Sequence, residues 1–130
     1  MGLILDTNFL VNLEREIAHA VPGKAHNFLE QNPAQTFVIT FTIAGELACG
    51  TSLSTKAKWE IFCQPFLVLD YTSEIGWQYG SLFRYLKPQG LLIGANDLWI
   101  AATALVHGFP LVTNDVTEFK RVPGLQVLSY

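Results

Sequence analysis

The amino-acid sequence predicts an α/β fold, a mostly parallel sheet with helices on both faces. Three observations predict it. Short continuous apolar runs, Leu3-Ile4-Leu5, Phe37-Val38-Ile39 and Leu67-Val68-Leu69 among them, read as strands buried on both sides. Segments of helical apolar spacing separate these runs along the whole length, the alternation that parallel strands joined by right-handed crossovers require. With 130 residues and no repeat, linker or low-complexity stretch, the chain is long enough to close one sizeable core and is expected to be a single domain over 1–130.

The first strand ends at Asp6-Thr7-Asn8, where a helix from about Phe9 to Glu16 is expected to begin. Pro22-Gly23 makes a turn, and a second helix with Ala25, Phe28 and Leu29 on one face stops near Asn32-Pro33. Phe37 to Thr40 is the second strand. From Thr42 the spacing turns helical, with Ile43, Leu47 and Ala48 on one stripe and Gly50 where a C-terminal cap belongs. A further helix gathers Trp59, Phe62, Cys63 and Phe66 ahead of the strand Leu67 to Leu69. Another starts near Ser73 and aligns Ile75, Tyr79, Leu82 or Phe83, and Leu86 until Pro88-Gln89-Gly90 breaks it. Asn96-Asp97 opens a helix from Leu98 to His107 that Gly108 closes, Leu111 to Thr113 is a strand entering Asn114-Asp115, and Gln126 to Leu128 is the last strand.

Composition narrows the function classes. Half of the residues are hydrophobic and 15% are charged, an apolar balance that anticipates a surface covered by a partner. The run Leu98 to Val106 is about half of the roughly 20 residues a membrane span needs, and no basic segment precedes a cleavable apolar stretch at the N-terminus. A soluble, cytoplasmic protein without a membrane partner is therefore expected. Cys49 and Cys63 fit neither a CxxC motif nor a zinc-ligand pair and read as core thiols. A net charge of −3 excludes a chain coated in nucleic-acid-binding surface but not a local one; Lys56 with Lys58, Arg84 with Lys87, and Lys120 with Arg121 form small basic groups.

The chemistry is expected where acids follow strands. In open parallel sheets the ligand crevice lies beyond the carboxyl ends of the strands. Asp6 and Asp115 each follow a strand, Asp97 begins a helix, and Glu46 sits early in a helix that directly follows one, so all four can share one pocket. Such a cluster repels itself unless a cation is bound. An all-carboxylate set without histidine or thiolate suits Mg²⁺, which prefers hard oxygen ligands and commonly engages substrate phosphates; phosphodiester hydrolysis follows as the expected reaction. Asp6 and Asp97 are the first choices as direct ligands; Glu46 and Asp115 complete the shell, position a water or share in proton transfer.

Each acid also admits a structural role. Asp6 and Asp97 can cap the helices they precede, and Asp115 with Glu118 spells the D-x-x-E of a capping box. Glu46 escapes that reading, because a box from Thr42 would place the acid at position 45, a glycine. The segments LILDTNFL, ITFTIAGELACG, IGANDLWIAATALVHG and LVTNDVTEFKRVPGLQV, in that order over nearly the whole chain, resemble PIN-domain ribonucleases of the VapC toxin type. The resemblance implies a three-layer α/β/α sandwich, an acidic pocket for Mg²⁺ or Mn²⁺, and endonucleolytic cleavage of RNA such as tRNA or ribosomal RNA. It also implies a homodimer and a cognate antitoxin. By motif, the family's acids fall on Asp6, Glu46, Asp97 and Asp115, with Thr7, Asn8, Thr113 and Asn114 as polar neighbours that orient water or phosphate.

Other readings fit less well. A haloacid dehalogenase-type phosphatase needs a second Asp two residues after the first, and position 8 is Asn. A cysteine hydrolase would need Cys49 or Cys63 within reach of His107, and nothing in the sequence joins them. A PIN-like module that binds RNA or protein without cutting would be marked by lost acids, and all four are present.

Overall fold

The computed structural model describes residues 2–130. Five strands, β1 (Gly2–Leu5), β2 (Thr36–Thr40), β3 (Leu67–Leu69), β4 (Leu111–Val112) and β5 (Val127–Leu128), form one sheet in the order β3-β2-β1-β4-β5. Every neighbouring pair is parallel, so the sheet is wholly rather than mostly parallel. The chain moves outward from β1 through β2 to β3, then returns to place β4 on the other side of β1. Strand order therefore reverses between β1 and β4, and at such a switch point the connections diverge and leave a crevice at the carboxyl ends.

Helices α1 (Thr7–His19), α2 (Lys24–Gln31), α3 (Phe41–Ala48), α4 (Lys56–Cys63), α5 (Ser73–Leu86), α6 (Ala95–His107) and α7 (Val116–Phe119) flank the sheet, the sandwich the sequence predicts. All of β1 is buried, as an unbroken apolar central strand should be. Against it pack Phe9, Leu10 and Leu13 of α1, Ile43 and Leu47 of α3, and Leu98, Ile100 and Ala101 of α6, all within one cluster of buried side chains. Trp99 of α6 stacks on Tyr79 of α5 with ring centroids 4.1 Å apart and meets Phe41 and Tyr71 edge-on, which locks α3, α5 and α6 together.

Several local expectations change. α1 runs on to His19 and closes on Ala20, which takes the left-handed conformation at φ 53°. Gly50 is extended rather than left-handed, because α3 already ends at Ala48 and the chain passes through Cys49 into a short 3₁₀ turn, Thr51–Leu53. α4 ends at Cys63, leaving Phe66 outside the helix, although its ring still lies 6.1 Å from that of Phe62. α6 begins early, at Ala95, so Asp97 lies inside the first turn and is not its cap.

Candidate active site

Asp6 leaves the carboxyl end of the central strand, and its backbone N–H still pairs with the Val112 carbonyl at 3.2 Å, which fixes its Cα beside the end of β4. One carboxylate oxygen accepts the Phe9 N–H at 2.8 Å, so Asp6 does cap α1. The other accepts the Thr113 hydroxyl at 2.5 Å. Buried to 5% exposure, the carboxyl is pushed upward in pKa by desolvation first, then by the charges of Asp115 and Glu46, against the pull of the Thr113 and Phe9 donors. Capping and a functional role coexist here, since each oxygen keeps a further lone pair.

Thr113 is fully buried one residue beyond β4 and also accepts the Asp115 N–H at 2.9 Å, so a single hydroxyl orients Asp6 and turns the loop that carries Asp115. Glu46 lies half-buried on α3 and is held across the sheet ends by the Thr7 hydroxyl, which donates to it at 2.7 Å. The polar neighbours expected around the acids thus divide. Thr7 and Thr113 bind carboxylates, whereas Asn8 and Asn114 are exposed at the rim, Asn114 accepting the Tyr130 backbone N–H at 3.4 Å.

Asp97 projects from the first turn of α6, whose N-cap, Gly94, supplies no side-chain bond. Desolvation, followed by the charges of Glu118, Asp115, Glu46 and Asp6, pushes its carboxyl to about 6. That sequence of causes ties all four expected acids to one region. The tightest grouping, however, is Asp97, Asp115 and Glu118, from which one oxygen each lies within 4.8 Å of the others. Glu118 is the residue that sequence reasoning assigned elsewhere. Its D-x-x-E spacing suggested a capping box, but Asp115 makes no side-chain cap bond to α7. Instead the Glu118 carboxyl lies beside that of Asp115 in this grouping, and that neighbour, ahead of desolvation, raises the Glu118 pKa, while Arg121 and the Gly94 backbone pull the other way.

The donor set tests the metal expectation. Asp97, Asp115 and Glu118 offer only hard oxygens, close enough for one small cation to bridge, with Asp6 and Glu46 beside them and no sulfur or imidazole among the ligand atoms. These residues fit Mg²⁺ or Mn²⁺ and not a soft-ligand metal.

A family model described as PIN domain matches residues 3–125. Ribonuclease VapC2 of Rickettsia felis is 35% identical over 131 residues, spanning 96% of this chain and 95% of that protein. Ribonuclease VapC1 of Haemophilus influenzae strain R2866 is 32% identical, spanning 97% and 96%. Among solved structures, VapBC2 from Rickettsia felis bound to a DNA fragment from their promoter matches with a TM-score of 0.80 and 33% identity over 100% of this chain and 99% of that one. VapBC-1 from nontypeable Haemophilus influenzae matches at 0.82, with 28% identity over 99% and 98%. The chain belongs to the PIN-domain family, and within that class to the VapC ribonucleases. The resemblance read from its four sequence segments is borne out.

Proposed function

We propose that the chain is a divalent-metal-dependent endoribonuclease that hydrolyses RNA phosphodiester bonds, tRNA or ribosomal RNA being the expected substrates, and acts as the toxin of a toxin–antitoxin pair. One observation carries the reading: one carboxylate oxygen from each of Asp97, Asp115 and Glu118 lies within 4.8 Å of the others, and burial, together with the charges of Glu118, Asp115, Glu46 and Asp6, pushes Asp97 to about 6. Repulsion of that kind is a standing cost in the folded protein, and a bound cation relieves it. Mg²⁺ or Mn²⁺ would supply charge neutralisation at the scissile phosphate and a water acidic enough to attack it.

The chain's own residues then have distinct tasks. Asp97, Asp115 and Glu118 would hold the cation. Asp6, oriented by Thr113 and Phe9, faces the same space from the sheet, and Glu46, oriented by Thr7, is placed to accept a proton or direct a water. Asn8 and Asn114 at the rim offer donors to phosphate oxygens.

An antitoxin has a seat of suitable chemistry. An apolar groove of about 590 Å³ between α1, α2 and α4 is lined by Leu13, Ile17, Leu29, Leu53, Ile61 and Phe62, with Lys58 at its edge. It suits the apolar face of an amphipathic segment, and Ile17 and Ile61 are 63% and 70% exposed without one. A homodimer is the assembly proposed, in keeping with the exposed Trp77 and Tyr85 of α5.

The test is cleavage of purified total RNA by the antitoxin-free protein with Mg²⁺, with EDTA, and by the Asp6→Asn variant. Discrete fragments from the wild type with metal alone support the reading. Absence of cleavage at every metal concentration refutes it in favour of a non-cutting binding module.

A further inference from the structure

The fold assembles a second polar site beside the acids. A pocket of about 260 Å³ is lined by Asn12, Arg15 and Glu16 of α1, Lys24 at the start of α2, Asn114 and Tyr130. Glu16 is already committed: its carboxylate accepts the N–H groups of Gly23 at 2.7 Å, His26 at 3.0 Å and Ala25 at 3.2 Å, capping α2 in place of the side chain Gly23 lacks. Arg15 and Lys24 form no salt bridge among the described residues, as is also true of Lys58, Lys120 and Arg121, none of which lines this pocket, whereas Lys56 pairs with Glu60, and Arg84 and Lys87 lie over the Trp77 and Phe83 rings. Arg15 and Lys24, on consecutive helices, are brought to one mouth because α1 closes on Ala20 and turns α2 back against it.

Position gives the pocket its meaning. Asn114 lines it and is the residue between Thr113, which orients Asp6, and Asp115 of the acid cluster. Tyr130 forms the far wall, its ring 4.6 Å from that of Phe9, its hydroxyl accepting from Asn12 at 3.0 Å. An acid cluster on a chain of net charge −3 repels a polyanion everywhere except where cations are free, and phosphate contacts are what set the register of a nucleic acid strand. We propose that this pocket is a phosphate subsite, in which Arg15 and Lys24, with Asn12 and Asn114, hold a backbone phosphate neighbouring the scissile one and so set the register of single-stranded RNA across the acids. The inference rests on the ribonuclease reading for its substrate class, but not on cleavage for its test.

Binding is measured first in EDTA, where nothing is cut, by fluorescence anisotropy of a short single-stranded RNA against the full chain. Arg15→Gln with Lys24→Gln, both exposed and therefore expected to fold, should raise Kd roughly tenfold and flatten the log Kd against log salt slope by about 0.7 for each phosphate no longer neutralised. Lys56→Gln with Lys87→Gln removes the same net charge elsewhere and should leave Kd unchanged. A series of the same RNA carrying one methylphosphonate at a time should contain a linkage that weakens the wild type but not the Arg15/Lys24 double variant, the non-additivity expected of direct contact. Mn²⁺ affinity should be equal in wild type and double variant, and with Mg²⁺ the double variant should show raised KM with little change in kcat.

Equal weakening by the two double variants, or RNA binding unchanged by Arg15→Gln with Lys24→Gln, overturns the subsite; so does a wild type that fails to bind RNA at low salt. If the double variant instead weakens only a protein partner, the pocket is a protein-docking site and the subsite falls. If RNA binding drops as expected while wild-type protein with Mg²⁺ cuts nothing, the subsite stands and the ribonuclease reading falls.

Discussion

Replacing Asp97 with Asn should stabilise the metal-free protein, and the size of the effect follows from the site. The Asp97 carboxyl is held at about 6 against 3.8 for an ordinary aspartate, so the folded state binds its proton more tightly than the unfolded state. A raised acid pKa means stability is lost as pH rises from about 4 through about 6, with the full penalty above that window. Roughly two units at 1.36 kcal/mol each set a ceiling of about 3 kcal/mol, which solvent screening in a partly open pocket reduces to about 1.5 kcal/mol. Asp97 also sits in the first turn of α6, where its charge returns about 0.5 kcal/mol through the helix dipole. The net expectation is a gain of about 1 kcal/mol for Asp97→Asn above pH 7, or roughly 3–5 °C in Tm. Thermal or urea unfolding in EDTA at about pH 8 and about pH 4 measures it, and the gain should vanish at the acid end. With Mg²⁺ at about 100 Kd the order should invert, since the wild type alone then gains about 2.7 kcal/mol from binding. A variant less stable than wild type in EDTA at alkaline pH, or equally stabilised at both pH values, would refute the claim that burial, with the charges of the neighbouring acids, raises the Asp97 carboxyl.

Three further outcomes follow from individual side chains. Glu118→Gln should weaken Mn²⁺ binding by about ten- to a hundredfold in titration calorimetry and lower RNA cleavage in parallel; unchanged affinity would return Glu118 to a purely structural role. Thr113→Val should cost about 1–3 kcal/mol by urea unfolding, because it strips a donor from the buried Asp6 carboxylate and an acceptor from the Asp115 N–H; a variant as stable as wild type would show that Thr113 does not hold Asp6. Glu16→Gln should cost about 1–2 kcal/mol at neutral pH by weakening the cap on α2. The Glu16 pKa is lowered, its backbone donors and His26 outweighing desolvation, so its contribution is present above 4.5 and is lost as pH falls below that value; a deficit in the variant that persists at about pH 2 would contradict the assignment.

The elements that were legible in the sequence are those whose pattern outlasts a turn. α5 and α6 carry apolar residues at helical spacing over three turns, and β1, β2 and β3 are apolar runs. α7 showed in the sequence only as the D-x-x-E spacing of Asp115 and Glu118, because its Val116–Phe119 span is about one turn, too short for any period to show. Gly50 misled for a different reason. A glycine after a helix marks a left-handed cap only where the chain reverses there, and here it continues into a 3₁₀ turn with φ −73°. Left-handed Ala20 is the converse case: hydrogen bonds to the Glu16 and Ile17 carbonyls, and the capping of α2 by Glu16, hold an alanine where sequence rules look for glycine.

At the candidate site the limit was one of competing explanations rather than missing signal. Asp6 and Glu118 lie in sequence contexts that helix capping accounts for without chemistry, and local spacing cannot separate the two. What separates them is where the bonds go. Asp6 caps α1 and still faces the acids, because only one of its oxygens is needed for the Phe9 N–H. Asp115 makes no side-chain cap bond to α7, and its carboxyl lies instead with those of Glu118 and Asp97, one oxygen of each within 4.8 Å of the others. A short helix in which an available cap is forgone and like charges are gathered instead is locally inconsistent with stability alone. In a chain whose helices α3, α4 and α5 are conventionally capped by Thr40, Thr55 and Thr72, that inconsistency marks the acids as a place where the sequence serves something other than fold stability.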